Sequence, residues 1–486
     1  MKVFDREAPS NYRALQQSDN SESVDEDPVS PKALKLEDIY TLIGVGKAQY
    51  IYWLILAVIV FFDSIQLHVI STIIPVLRCE WEMDVWWETL INVSVYLFSA
   101  VGGLVFSKLP DIYGRRKILS INTAVLLLFS CSSAFAQNKV QFLILRSIVG
   151  ICTGITFPTC VTYTAEVVKS SNRETGPSIT LLFANFGIFF LAVITYFILR
   201  PYGWRWLIIS ISLPLFLCWI CLVFFMPESP RYLAVSGRSN EATQALKRIA
   251  KLNGSSFPKD VKIVGNLEQE LGSISDIMAP EFLKETILLS IMYFGNLLIK
   301  FGTVLFYPLA LYSGFCGGSG PPPDHNCVEI KQESLVELAI ATSSCVFAIG
   351  AGYVAAKQLG RSVSLKIFST ASFIATLILF KCFSNTVTVG IFFLVKLLTN
   401  SHNMVTNIIV PELYPTAFRN TAVGFSSSCG KVGALISTGT IYALYYYNPN
   451  SAVALFSANA LLVAIASWIW NKETTDSVMS DGFLRD

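Results

Sequence analysis

The chain has 486 residues, 53% of them hydrophobic and 14% charged, with a formal net charge of +2 and a mean hydropathy of +0.54. A soluble chain of this length carries about 25% charged residues. A soluble globular protein is therefore excluded, and a charge this close to zero marks no nucleic-acid partner.

The first 49 residues are polar and acidic, with an Asp25-Glu26-Asp27 run followed by Pro28 and Pro31. They lack the apolar core of a cleavable signal peptide and read as a disordered cytosolic tail. Near the end of this segment, Leu36, Ile39, Leu42 and Ile43 share one helical face. That face predicts a short amphipathic helix lying against the membrane; Asp38-x3-Leu42-Ile43 also fits an acidic-dileucine sorting pattern.

Twelve spans are predicted, near 50–77, 86–107, 118–136, 140–165, 178–199, 204–226, 286–312, 335–356, 365–383, 387–409, 421–446 and 449–470. Each is close to the ~20 residues that cross ~30 Å of hydrocarbon. The polar linker 227–285 separates an N-terminal bundle, 50–226, from a C-terminal bundle, 286–470, and 471–486 form a second tail. Lys108, Arg115, Arg116, Lys117, Lys169, Arg173, the 231–251 cluster, Lys357, Arg361 and Arg419 fall in one set of loops, while the other holds few cations. By the positive-inside rule the first set, and both termini with it, is cytosolic. Cys79, Cys316 and Cys327 then lie on the oxidising side. Cys316 and Cys327 are the candidate disulfide, closing a Gly/Pro-rich loop, with Cys79 as a competing thiol. Asn92 and Asn253 match the glycosylation pattern but fall in a span and in the cytosol, so neither should carry a glycan.

Ionisable groups at membrane depth cost roughly 2.5–3.5 kcal/mol each, so each needs a reason. Asp63 lies near the middle of the first span, with Gln66 on the same face. It is the candidate proton- or cation-coupling carboxylate, or else half of a structural ion pair. His68 points about 140° away by helical geometry and should not share that site. Arg146 lies early in the fourth span, facing the cavity or snorkelling to its edge. Asn296 and Lys300 sit in the seventh span, and Glu337 in the eighth is a candidate partner for Lys300. Lys396, Asn400, Asn403 and Asn407 form one polar stripe in the tenth span, lining a cavity or bonding between helices. Glu80, Glu82, Asp84 and Glu88 crowd the first outer loop, a weak sign of cationic solutes. No phosphate-binding loop, nucleophile elbow or metal-ligand spacing is present, so neither an enzyme, a cofactor nor a metal is indicated.

Two signatures recur at an offset of 246 residues: Glu166-x6-Arg173 with Glu412-x6-Arg419, and Gly114-Arg115 with Gly360-Arg361. Such duplication in a long apolar chain points to a two-halved transporter. The loop Ser107-Lys-Leu-Pro-Asp111-Ile-Tyr-Gly114-Arg115-Arg116-Lys117 resembles the signature of the major facilitator superfamily, with Ser107 in place of its glycine. Arg146-x3-Gly150-x3-Gly154, Pro227-Glu228-Ser229-Pro230-Arg231 and Pro411-Glu412-Leu413-Tyr414-Pro415 match further family motifs. Gly44-Val-Gly46-Lys47, Cys79-Glu80-Trp81 and Gly203-Trp204-Arg205-Trp206 look like its synaptic vesicle 2-related and organic-ion-transporter branch.

This resemblance implies an all-α membrane protein of twelve transmembrane helices in two six-helix pseudo-symmetric bundles. It implies alternating-access transport of a small organic solute by a lipid-embedded monomer, possible coupling to protons or ions, and a plasma or synaptic-type vesicle membrane. A cavity-facing arginine is expected at Arg146. Relatives carry an acid where Gln66 stands. Asp111, Gly114, Arg115, Arg116, Glu166, Arg173, Glu228, Arg231, Glu412 and Arg419 are the expected cytosolic gate, although Lys357 stands where Asp111 stands in the first half. A transporter fold retained only for trafficking or binding, and a sugar-type carrier, are the alternatives. Gly150 and Gly154 are expected to serve close helix packing.

Overall fold

The computed structural model of the chain describes residues 32–106, 109–169, 175–257, 261–264, 277–313, 332–381, 384–414 and 419–473. Apolar sequence and length dictate its long helices. In the first half these are α2 (Lys47–Glu80), α3 (Val85–Val101), α5 (Arg115–Ser133), α6 (Lys139–Glu166), α7 (Thr175–Ser212) and α8 (Pro214–Phe225). A π-helical turn, Gly102–Phe106, extends α3, and the short α4 (Leu109–Tyr113) follows. The helix α7 carries two spans, because it breaks at Gly203, whose φ of 84° is open to glycine. Its second limb continues into α8 as the sixth span. The second half contains α11 (Leu283–Ser313), α12 (Gln332–Gln358), α13 (Arg361–Ile378), α14 (Asn385–Leu413), α15 (Arg419–Tyr447) and α16 (Pro449–Ile469). Twelve membrane-crossing helices in two sixes result.

Packing repeats between the halves. In the first, α2 lies along α7 and α3 along α6; in the second, α11 lies along α15 and α12 along α14. The halves meet where α3 packs on α15 and α7 on α12, two contacts exchanged by the same pseudo-twofold. Gly150 lets α6 approach α3 so closely that an added Cβ would lie 2.6 Å from the Val95 carbonyl oxygen; Gly154 meets the Ser99 carbonyl in the same way.

The N-terminal segment departs from expectation. Residues 32–49 are not a disordered tail: β1 (Lys32–Lys35) pairs in parallel with β2 (Val261–Val264), and α1 (Leu36–Ile43) follows. The helix α1 buries Ile39, Tyr40 and Ile43, whereas Leu42 is 47% exposed. Its buried face joins a core cluster shared with α10, and Tyr40 Oη donates to the Glu166 carbonyl at 2.8 Å. The linker is likewise built, with α9 (Pro230–Val235) and α10 (Ser239–Asn253) between the halves. Asn253 of α10 clasps the start of α2: its Oδ1 accepts from Ala48 N at 2.9 Å and its Nδ2 donates to Gln49 Oε1 at 2.9 Å.

Candidate transport site and gate

Asp63 and Gln66 turn into the first half. The Gln66 amide is fully engaged: Oε1 accepts from Ser130 Oγ of α5 at 2.7 Å and from Arg146 Nη1 of α6 at 3.0 Å, while Nε2 donates to Ser212 Oγ at 3.0 Å. Arg146 is 0% exposed, so it does not snorkel. Its Nε and Nη2 have no hydrogen-bond partner, and its guanidinium lies 5.7 Å from the Phe142 ring. A buried guanidinium thus leans on a neutral amide. Asp63 lies beside Thr156 of α6; its Oδ1 has no hydrogen-bond partner and, among the described residues, it forms no ion pair. The structural ion pair considered from sequence is not formed.

His68, set aside in the sequence reading, faces the other half. Its ring stacks on Phe301 of α11 at 5.5 Å, and Phe301 meets Tyr96 of α3 edge-on at 5.0 Å. The Nδ1 lies 2.8 Å from the Ser64 carbonyl, which only accepts, so Nδ1 carries the proton. Nε2 is buried and unpartnered. Lys300 and Lys396 both lie within electrostatic reach of this ring. The helical offset from Asp63 was right, but it aims His68 into the space between the halves.

In the second half Lys300 reaches across to Asn185 Oδ1 of α7 at 3.4 Å, not to Glu337. The Glu337 backbone carbonyl accepts from Tyr307 Oη at 3.0 Å. The polar stripe of α14 divides its work. Asn400 donates to the Lys396 carbonyl at 2.8 Å, and Asn407 accepts from Tyr293 Oη at 3.0 Å. His402, one residue off the stripe, bonds Asn296 of α11 at 2.9 Å and Ser467 of α16 at 3.0 Å. Asn296 is therefore an interhelical tie. Lys396 Nζ and Asn403 Oδ1 remain buried and unpartnered. Lys431 of α15, which apolar-span reading passed over, sets its ammonium against Gly103 of α3.

The expected gate residues form matching ion pairs in the two halves. Arg115 Nη2 pairs with Glu166 Oε1 at 3.0 Å and with Asp111 Oδ1 at 2.8 Å, and lies 4.8 Å over the Tyr232 ring. Arg361 grips Glu412 through Nε at 3.1 Å and Nη2 at 2.6 Å. Each glutamate thus meets the arginine of the Gly-Arg loop. Arg173 is outside the described residues, as is the side chain of Arg419. Gly114 has φ 105° and Gly360 φ 85°, so both turns favour glycine. Glu228 accepts from Arg116 N at 3.0 Å and Lys117 N at 3.4 Å, capping α5. Glu473 caps α13 one residue earlier in register, from Arg361 N at 2.8 Å and Ser362 N at 3.1 Å. Sequence reading missed Glu473; the preserved Gly-Arg turn was its only signal. Arg116 also donates to the Val223 carbonyl, and Arg231 pairs with Glu37 of α1 at 2.8 Å.

On the opposite face the acidic cluster is largely neutralised. Glu80 pairs with Arg205 at 2.7 Å and accepts from Trp204 Nε1 at 2.6 Å, Glu88 pairs with Arg78 at 3.2 Å, and Asp84 caps α3. The expected cation-concentrating mouth reduces to Glu82. Cys316 and Cys327 lie outside the described residues.

The description "Sugar (and other) transporter" belongs to the family model that matches residues 41–308. The synaptic vesicle 2-related protein of Xenopus laevis is 29% identical over 93% of this chain and 83% of its own length. Organic cation/carnitine transporter 7 of Arabidopsis thaliana is 26% identical over 92% and 96%. The partially occluded inward-open xylose transporter XylE of E. coli shares the fold, with a TM-score of 0.67 at 15% identity over 88% of this chain and 99% of that one. Paired Gly-Arg gates, two six-helix halves and these likenesses agree: the chain belongs to the sugar (and other) transporter family of the major facilitator superfamily, a membrane transporter and not an enzyme.

Proposed function

We propose that the protein is a secondary active carrier of a small organic solute, of the organic-ion class, working by alternating access as a monomer in lipid. Asp63 carries this reading: a carboxylate at mid-span without an ion pair has a cost that a binding proton or cation repays. The Gln66–Arg146 pair beside it ties α2 to α6, so loading Asp63 is felt by two helices. The face bearing Arg115 and Arg361 is cytosolic, both termini lie on that side, and its two ion pairs lock helix ends in one state and release them in the other. The membrane is the plasma membrane or that of a synaptic-type vesicle. Retention of a bidentate Arg361–Glu412 pair despite Lys357 favours a working gate over a vestigial one. The test is uptake by proteoliposomes over a panel of organic ions and sugars, with and without an imposed pH gradient. Saturable, gradient-driven uptake that Asp63→Asn uncouples supports the proposal; a flat panel from folded protein defeats it.

A further inference from the structure

Among the described residues, two lysines of the second half have no counter-ion. Lys396 of α14 is 3% exposed, its Nζ has no hydrogen-bond partner, and its ammonium lies 5.2 Å over the Tyr307 ring. Lys300 of α11 has only the neutral Asn185 oxygen at 3.4 Å. Lys300 adjoins Phe301, on which His68 stacks, and Lys396 lies over Tyr307, two turns further along α11, so both ammonium groups border one stretch of that helix. Among the described residues neither forms an ion pair. Asp63 does not neutralise them, since it sits on another face of α2 beside Thr156. Unpaired cations at this depth cost roughly 2.5–3.5 kcal/mol each, and a face of Tyr307 offsets only part of that.

Resting on the transporter reading above, we propose that the solute is a small organic anion. Its carboxylate is held by Lys396 and Lys300, and its body lies against Tyr96, Phe301 and Tyr307. Lys300, Lys396, Asn185 and His68 come from α11, α14, α7 and α2, so a solute there touches both halves, as a rocking carrier requires. Aromatic walls with few polar groups suit a carbon skeleton behind one charged end.

The test uses the full chain in lipid nanodiscs and proteoliposomes with benzoate, phthalate and glutarate, against the uncharged benzamide and the cationic benzylammonium. Thermal stabilisation and uptake are expected for at least one carboxylate. Lys396→Gln and Lys300→Gln should each weaken that binding tenfold or more, while the empty variants melt at or above the parent, because each loses a charge that has no ion pair among the described residues. Uptake of benzylammonium with no response to any carboxylate keeps the carrier reading and overturns the anion assignment. Carboxylate binding unchanged in both lysine variants overturns the assigned site. Folded protein that neither binds nor moves any of the five overturns both readings.

Discussion

Arg361 and Glu412 form a two-toothed ion pair, with contacts of 3.1 and 2.6 Å, that mirrors Arg115 and Glu166 in the first half. The mirror is imperfect in an informative way. Arg115 shares itself between Glu166 and Asp111. In the second half Lys357 replaces the acid, and Arg361 gives both its contacts to Glu412 instead.

The bidentate pair should be the stronger lock. Partly buried bidentate arginine–carboxylate pairs exceed simple ion pairs in strength. Arg361→Lys is expected to loosen the gate more than Arg115→Lys, read as greater labelling of a cysteine placed on the gate face. Equal labelling in the two variants would count against it.

Asp111 is exposed and, among the described residues, pairs with Arg115 four residues along. Asp111→Asn should slow transport several-fold while leaving membrane abundance intact. Unchanged transport assigns the acid to local structure alone.

The Gly-Arg turns predict a matched stability defect. An added Cβ lies 2.5 Å from Glu228 Oε2 at Gly114 and 2.8 Å from Glu473 Oε2 at Gly360, and both residues have positive φ. The left-handed backbone alone costs a side chain about 1–2 kcal/mol. Gly114→Ala and Gly360→Ala should each lower the melting temperature in detergent; a neutral Gly360→Ala would deny Glu473 its capping role.

Gln66 is the sole hydrogen-bonding partner of a buried arginine among the described residues. Gln66→Leu strands Arg146, at a cost of about 1–3 kcal/mol for an unsatisfied buried group. Gln66→Glu offers the guanidinium a carboxylate and should melt at or above the parent. Chemical denaturation of the two variants checks the order.

Asn253 holds Gly44, Ala48 and Gln49 to the linker. Asn253→Ala should expose α1 to limited proteolysis before the bundle unfolds. Protection equal to the parent would show that Arg231–Glu37 and the buried Tyr40 hold the helix unaided.

Much of this protein was legible from residues alone. Apolar runs point to a polytopic helical bundle, because a bilayer leaves a spanning backbone few choices but the helix. The 246-residue offset marks the two halves, and Gly150 and Gly154 mark a close helix contact, since spacing on a helix is local geometry. Partner choice was not legible. The gate residues were legible as a set, and tertiary structure brought Arg115 to both Glu166 and Asp111. It also spent the acidic cluster on Arg78 and Arg205, turned α1 onto the protein, and aimed His68 at Phe301 while Asp63 faced Thr156. The physical reason is one of range. Hydropathy and helical period are fixed within a few turns of chain, whereas a charge is satisfied by whichever distant helix the packing brings within 3 Å or so.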